Sequence, residues 1–437
     1  MAPERYWVAR SFYESLMRSE RLSPEKIERY QYSQLQQLLA HAEREVPFYK
    51  GVLSAIRDPH GTFNLDRWQE LPIVSRQLIA ANWEAFQAHN LPQGHRSILE
   101  STTSGSEGIS LKMRKTRFDH TGVACASYRY AQWFRYNSRV PLAMIRAGFI
   151  RTADPDDPED FRWGPPWLPP EERSTRHRLN INKPLAEQLD WLVGLGPVYL
   201  NTLPSTAMAL AQLSAASGKL PRLESVLTVG ERLSLDVREE VRSILGAEIS
   251  DVYSTAECGL LAIQCPQSNN YHIQSEITKV EVIKPDGQPC SPGETGYVVA
   301  TSLYNYAMPI IRYRFNDLVT VGEACLCGRS LPVISRIWGR EKSLFRLSDG
   351  SLVLPELRTE WFKRRAGTAH WQVAQTTPTD FEVRLKRTEP IDAYLEADIR
   401  DHLCKTIGRQ LEVHTCLVDE FARSQGGKFY PIVREFT

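Results

Sequence analysis

Apolar and polar positions divide the chain into stretches of different period. Over residues 1–56 the period is helical, with Leu35, Leu38, Leu39, Ala42 and Val46 recurring three and four positions apart. The helix should stop at Val46-Pro47-Phe48-Tyr49-Lys50, because a proline disfavours helix at the residue before it. A new element begins at Leu71-Pro72-Ile73-Val74, where Ser75 is placed to cap a helix. Residues 139–149 read as a strand, and the Asp- and Pro-rich tract from 153 to 170 reads as a loop or lid. Between 183 and 250, strands at 198–200, 226–229 and 248–253 alternate with helices at 205–217 and 234–245. That alternation predicts a parallel sheet with crossover helices. Residues 271–323 become β-rich, with turns at Pro285-Asp286-Gly287-Gln288 and Pro292-Gly293-Glu294. From Gly339-Arg340 onward, strands and helices mix over a length that suits a small separate domain.

The predicted fold is therefore α/β. A large N-terminal domain, 1–338, has parallel sheets flanked by helices and includes a β-rich subdomain, 271–338. A small separate α/β domain, 339–437, follows.

Composition adds exclusions. The 53 basic and 52 acidic side chains leave a net charge of +1, which argues against a dedicated nucleic-acid binder. A local positive site for a small anion remains compatible with that balance. The first residues carry no secretory pattern, and no apolar run approaches the length that spans a bilayer. The expectation is a cytoplasmic protein without membrane partners. In a reducing compartment the eight cysteines are not a disulfide framework, and most read as small buried hydrophobes.

The first stretch that carries chemistry is Thr102-Thr103-Ser104-Gly105-Ser106-Glu107-Gly108-Ile109-Ser110. Glycines let successive backbone N–H groups converge on an anion, and the hydroxyls add donors for phosphate oxygens. No Gly-Lys-Ser/Thr follows, so this is not a Walker A loop. Read alone, it could equally be a polar surface turn.

At this loop the chain resembles the adenylate-forming superfamily of acyl-CoA synthetases, peptide-synthetase adenylation domains and luciferases. Within it, the phenylacetate–CoA ligase-like branch is the most similar. Thr103-Ser104-Gly105-Ser106-Glu107-Gly108 resembles the branch's phosphate loop TSGSTG. Val46-Pro47-Phe48-Tyr49 and Leu71-Pro72-Ile73-Val74-Ser75-Arg76 resemble its VPFY and LPxxxK segments. Leu203-Pro204-Ser205 resembles its YPS, and Val229-Gly230-Glu231 its GGE. Tyr253-Ser254-Thr255-Ala256-Glu257 is similar to YGxTE, and Arg312-Tyr313-Arg314-Phe315-Asn316-Asp317-Leu318 to RYRTGDL. Gly339-Arg340 and Gly427-Lys428 resemble the family's hinge and C-terminal lysine. The ordered set spans essentially the whole chain.

The resemblance implies ATP as substrate, Mg²⁺ as cofactor and CoA as the default acceptor. It implies that Thr103, Ser104, Gly105, Ser106 and Gly108 wrap the phosphates. Gly230, Glu231, Tyr253, Ser254, Thr255 and Arg340 should line the nucleotide, and Asp317 should accept from the ribose hydroxyls. Glu257 should hold Mg²⁺, a hard ion that takes carboxylate oxygen. Lys428 should stabilise the charge that builds as a carboxylate attacks the α-phosphate. Taken alone, such a lysine is more simply an exposed side chain. Lys342 falls where the family's hinge falls, and the C-terminal domain should rotate about it between half-reactions. Two departures stand in the phosphate loop: Glu107 where Thr is usual, and Ile109 where Lys is frequent.

Three Cys and one His make a usual structural zinc set. Branch members are similar in carrying Cys…His…Cys-x-Cys-Gly-Arg, and on that resemblance Cys265, His272, Cys325 and Cys327 are expected to bind zinc. By themselves, the four residues could also be buried free side chains. The acid pocket is expected from 120–136, 198–204, 228–231 and 254–260. The aromatics of 120–136 point to an aromatic acid, although a core helix explains most of them. Cys258 is expected to line that pocket. An amine or a separate carrier protein could replace CoA, nitrite could replace the carboxylic acid, and a catalytically inactive ATP-binding relative is a further alternative. The sequence leaves a homodimer open.

Overall fold

The computed structural model describes residues 4–102, 110–147, 162–423 and 428–436. The phosphate-loop residues Thr103, Ser104, Gly105, Ser106, Glu107, Gly108 and Ile109 lie outside the described residues, as do 148–161, which take in the end of the predicted 139–149 strand and the first part of the predicted loop or lid.

Helices α1 (Glu4–Ser19) and α2 (Pro24–Glu45) form the N-terminal layer. Pro24 suits the first turn of α2, where its missing N–H has no helical partner. The helix buries Leu35, Leu38, Leu39 and Ala42 and ends at Val46, which is extended before Pro47. Helix α3 (Arg76–Ala81) is capped as expected: the Ser75 hydroxyl accepts from Leu78 N at 3.1 Å. The hairpin of β1 (Ile98–Thr102) and β2 (Lys112–Thr116) brackets the phosphate-loop sequence. Helix α4 (Arg117–Trp133) follows.

The alternation predicted for the middle of the chain is present. The elements are β3 (Leu142–Arg146), β4 (Arg176–Asn180), α5 (Leu185–Gly194), β5 (Val198–Thr202), α6 (Pro204–Ser217), β6 (Leu223–Val229), α7 (Leu235–Leu245) and β7 (Ile249–Thr255). All five strands run parallel. Every residue of β5 is buried, as expected for a strand covered on both faces.

The chain then reverses through β8 (Gly259–Gln264), β9 (Tyr271–Ile273), β10 (Thr278–Ile283), β11 (Thr295–Ser302), β12 (Tyr313–Val321) and β13 (Val333–Arg340). These strands pair antiparallel and continue the same sheet. Among the described residues its order is β10-β11-β12-β13-β9-β8-β7-β6-β5-β3-β4. The β-rich stretch is thus one wing of a single mixed sheet. The antiparallel β7–β8 hairpin joins it to the parallel wing.

After β13 come the hairpin β14 (Phe345–Arg346) and β15 (Leu352–Val353), then α8 (Thr359–Ala366), β16 (Trp371–Gln375), β17 (Asp380–Leu385), α9 (Ala393–Ile407), β18 (Glu412–Leu417) and β19 (Ile432–Arg434). The last four strands form a second sheet, β18-β17-β16-β19. Its core, around Phe362, Phe381 and Leu403, also takes in Ile283, Tyr297, Val299 and Leu318 of the large sheet. Among the described residues no helix is long and apolar enough to cross a membrane.

Candidate active site

Parallel strands present their carboxyl ends to one side, and ligands in open α/β sheets bind there. The loops leaving β6 and β7 at that edge wall a cavity of about 320 Å³, which β12, β13 and the C-terminal segment close. Gly230, Glu231, Tyr253, Asp317, Arg340 and Lys428 all line it, so residues far apart in sequence converge as expected.

Gly230 turns the chain out of β6 with φ +85°, a conformation that favours glycine. A Cβ here would lie 3.3 Å from Leu203 and 3.8–3.9 Å from Cε and Nζ of Lys428. The lysine therefore lies close against this glycine. Glu231 is held from two sides. Its Oε2 accepts from Ser205 N at 2.9 Å, in the first turn of α6, where N–H groups lack helical partners. Its Oε1 accepts from the Ser205 hydroxyl and from Phe429 N, each at 3.0 Å. Burial nonetheless raises the Glu231 pKa, against the pull of those donors and of Lys428. Burial, and then the neighbouring Arg340, lower the pKa of Lys428, while Glu231 and Asp317 oppose the shift.

On the opposite wall, Tyr253 donates to Asp317 Oδ2 at 2.7 Å. Asp317 stands across from Arg340 in the β12–β13 ladder, with Arg340 Nε 3.5 Å from its Oδ1. Ser254 and Thr255 also line the cavity, and the Thr255 hydroxyl tightens the turn by accepting from Cys258 N at 3.1 Å. Glu257 reaches the cavity as a buried carboxylate. Its Oε1 receives the Arg76 guanidinium and, at 3.3 Å, the Tyr313 hydroxyl. Lys342 is exposed in the short turn Glu341–Ser343 that leaves β13.

Two parts of the expected acid pocket do not line this cavity. The described lining of the cavity contains no residue of 120–136. Tyr130 and Trp133 of α4 are buried in the main core, where Tyr130 bonds to Ser250 and Tyr136, and Trp133 donates to Glu20. Cys258 likewise points into the core, 3.9 Å from the Ala300 carbonyl, and burial pushes its thiol up to about 12. Ser205, Phe429 and the Arg76 contact are functional features that the sequence reading left without a role. Arg76 closes a quoted motif; the Glu231 partners that act through backbone N–H leave no side-chain signature.

The four candidate metal ligands also come together. Their ligand atoms all lie within 4.8 Å of one another. Cys265 follows β8, His272 sits in β9, and Cys325 and Cys327 belong to the loop between β12 and β13. Cys325 Sγ is 3.8 Å from Cys265 Sγ, and Cys327 Sγ is 3.2 Å from His272 Nε2. Zinc bonds of ~2.3 Å to sulfur and ~2.0 Å to nitrogen give tetrahedral edges of about 3.8 and 3.5 Å. The donor set therefore fits zinc. His272 Nδ1 faces the Leu331 carbonyl at 3.4 Å, which leaves Nε2 turned to the sulfurs. Burial raises the Cys325 thiol, but the Cys327 N–H and the Ser268 hydroxyl outweigh this and bring it down to about 7.

No protein-family model matches the chain. A phenylacetate–coenzyme A ligase of Thermus thermophilus is 26% identical over 262 residues, 53% of this chain and 59% of that protein. A phenylacetate–coenzyme A ligase of Escherichia coli is 28% identical over 143 residues, 31% of this chain and 32% of that protein. The match thus spans less than two thirds of either relative's length. In structure, 2-hydroxyisobutyryl-CoA ligase in its postadenylation state, in complex with 2-HIB-AMP, matches with a TM-score of 0.75 at 18% identity, covering 96% of this chain and 91% of that one. The same ligase in its thioesterification state, with 2-HIB-AMP and CoA, matches at 0.61. In sequence the chain is similar, over part of its length, to phenylacetate–coenzyme A ligases, and it carries the fold of 2-hydroxyisobutyryl-CoA ligase.

Proposed function

We infer that this protein activates a small carboxylic acid with ATP, releases pyrophosphate, and passes the acyl group from the adenylate to CoA. One observation carries the reading: Lys428 lies half-buried against Gly230 inside a cavity shared with Glu231, Asp317 and Arg340. A half-buried ammonium at that point suits an anionic centre better than it serves stability.

In this reading the ribose hydroxyls donate to Asp317, whose carboxylate Tyr253 and Arg340 hold in place. The adenine lies against the Gly230 turn, whose φ of +85° favours glycine. An acid carboxylate oxygen attacks the α-phosphorus, the bond from that phosphorus to the bridging oxygen breaks, and pyrophosphate leaves. Lys428 balances the negative charge that gathers on the attacking and leaving oxygens. This interaction is strongest in the transition state and so accelerates the step. In the second half-reaction the CoA thiol attacks the acyl carbonyl, AMP departs and the thiol proton goes to solvent.

Glu257 is the carboxylate suited to Mg²⁺, which would neutralise triphosphate charge. Cys265, His272, Cys325 and Cys327 suit a structural zinc ion, since four protein ligands leave no open position for substrate. The closer likeness to the postadenylation state than to the thioesterification state supports the same picture, with the C-terminal elements closed on the nucleotide cavity. Because Tyr130 and Trp133 of α4 pack in the core, the acid is proposed as a small carboxylic acid without commitment to an aromatic body.

The test is product identification. The protein is incubated with Mg-ATP, CoA and a panel of aromatic, arylacetic, amino and short aliphatic acids, plus nitrite, and nucleotides are separated by ion exchange. Acid-dependent AMP and pyrophosphate support the reading. Formation of ADP, or no turnover with any acid, overturns it. AMP formed without acyl-CoA moves the acceptor to an amine or a carrier protein.

A further inference from the structure

Two sequence motifs have no role in the chemistry described above: Leu71-Pro72-Ile73-Val74-Ser75-Arg76 and Arg312-Tyr313-Arg314. In the fold they form one bracket. Val74 pairs with Tyr313 as an isolated bridge, with Val74 N donating to Arg312 O at 2.9 Å and Arg314 N to Val74 O at 3.0 Å. Arg312 is buried with φ +55°, a left-handed conformation that is uncommon for a residue of this size. Its guanidinium donates to the carbonyls of Gln69 at 2.9 Å and Leu71 at 2.6 Å, and pairs with Glu281 at 3.1 Å. These contacts fix the backbone that leads into α3. Ser75 caps that helix, and Arg76 is its first residue.

The bracket delivers two donors to one atom. Arg76, only 11% exposed, pairs with Glu257 Oε1, and the Tyr313 hydroxyl reaches the same oxygen at 3.3 Å. Oε2 of Glu257 takes no hydrogen bond from the described residues. A carboxylate with one oxygen doubly held and the other directed elsewhere is prepared to give a cation a single ligand atom. The adjacent guanidinium also repels a bare dication, and this repulsion counts for more in a partly buried site than in water. A metal ion that arrives with the triphosphate brings compensating negative charge, and the repulsion then falls away.

We propose that Arg76 is a positioning residue for Glu257: it holds the carboxylate in single-oxygen mode, so that a divalent cation is accepted with the nucleotide and resisted without it. This rests on the functional reading given above.

The test uses the full chain and its Arg76→Gln and Arg76→Lys variants, with Mn²⁺ as probe. Mn²⁺ binding is followed by electron paramagnetic resonance with and without ATP, and acid-dependent ATP–pyrophosphate exchange is measured beside it. Arg76→Gln should bind Mn²⁺ without ATP at least about threefold more tightly than wild type, since a repelling charge is gone. Its exchange kcat should fall by about tenfold or more at unchanged KM for the acid, since the metal carboxylate is no longer held in register. Arg76→Lys, which keeps the charge, should restore nucleotide-dependent binding. The proposal is overturned if Arg76→Gln binds Mn²⁺ as wild type does. It is equally overturned if kcat and melting temperature fall together and Mn²⁺ affinity does not move. Should wild type show no exchange, the functional reading fails, and the Mn²⁺ arm still decides whether Arg76 controls metal access to Glu257.

Discussion

The two wings of the large sheet solve different problems with the same hydrogen-bonded scaffold. In the parallel wing, β3 to β7, each crossover helix returns the chain so that the strand ends face one side. The turn after β6 and the turn after β7 supply Gly230, Glu231 and the stretch from Ser254 to Glu257. That wing cannot finish its cavity alone, because Lys428 and Phe429 arrive from the end of the chain. In the antiparallel wing, β8 to β13, hairpin connections keep neighbours close in sequence. Its Cys265, His272, Cys325 and Cys327 cluster joins the β8–β9 turn and β9 to the loop between β12 and β13 within this one wing. The contrast separates two kinds of site. One draws on both wings and is completed by a segment from the end of the chain. The other lies within one wing, is half-buried at Cys325 and Cys327, and suits a structural ion.

If that contrast is right, the two sites should fail in different ways. The largest effect is expected from Lys428→Ala. AMP formation should fall by about 10²–10³-fold, the range seen when one preorganised electrostatic donor is removed. The melting temperature should stay at the wild-type value. A variant that melts early and loses activity only in proportion would break the contrast, because the lysine would then be structural.

Metal removal should do the reverse. Chelation, or Cys325→Ser, should lower the melting temperature by several degrees, since metal binding energy is folding energy. The remaining folded protein should turn over at the wild-type kcat. Zinc content by atomic absorption, read beside calorimetry, checks this. Folded protein without zinc that also loses turnover would tie the metal to the chemistry.

Asp317→Asn sharpens the picture within the cavity. It removes a charged acceptor that Tyr253 and Arg340 hold. The KM for ATP should rise about tenfold with a smaller change in kcat, in line with the loss of one hydrogen bond to a charged group. Equal KM values for the two proteins would remove Asp317 from the ribose site.

How much of this could be read from sequence depends on where the signal lies. The spacing of Leu35, Leu38, Leu39 and Ala42 marks one helix face, and that face is buried. The Ser75 cap and the 198–253 strand–helix alternation are local signals, and both are present. By contrast, β8 is buried at every position, and a short continuous apolar run carries no period that separates strand from helix. The single sheet that joins both wings was therefore invisible. Tyr130 and Trp133, three positions apart, share a helix face of α4, but spacing alone cannot say whether a core or a cavity covers it; both meet the core. Tyr253, Asp317 and Glu231 were legible through family likeness. Their supports were less so: Phe429 acts through its backbone N–H alone, Ser205 adds its N–H to its hydroxyl, and Arg76 meets Glu257 from a distant part of the chain.

The last expected effect, on stability and not on turnover, concerns the joint between the wings. Asp251 of β7 is buried between Thr228 at 2.7 Å and Tyr271, the neighbour of His272, at 2.8 Å. Burial pushes its carboxyl up to about 7, against those two donors. Thr228 can also donate to Ser250 O at 3.1 Å, which frees its oxygen to accept the proton of a neutral Asp251. The folded-state pKa lies above the ordinary value of ~3.9, so the contribution is full below pH ~4. It is lost as pH rises through about 7. Urea unfolding of wild type should show this loss between those pH values, and Asp251→Asn should flatten it. Parallel pH profiles for the two proteins would mean that Asp251 is ionised throughout.

The central claim is that the cavity makes an acyl-adenylate, and ATP–pyrophosphate exchange in the absence of CoA tests it most directly. With the right acid, labelled pyrophosphate should enter ATP at a rate that depends on the acid and saturates with it. Turnover of ATP to AMP in the presence of acid and CoA, with no exchange when CoA is left out, would mean that no adenylate forms before the acceptor arrives, and would contradict the account.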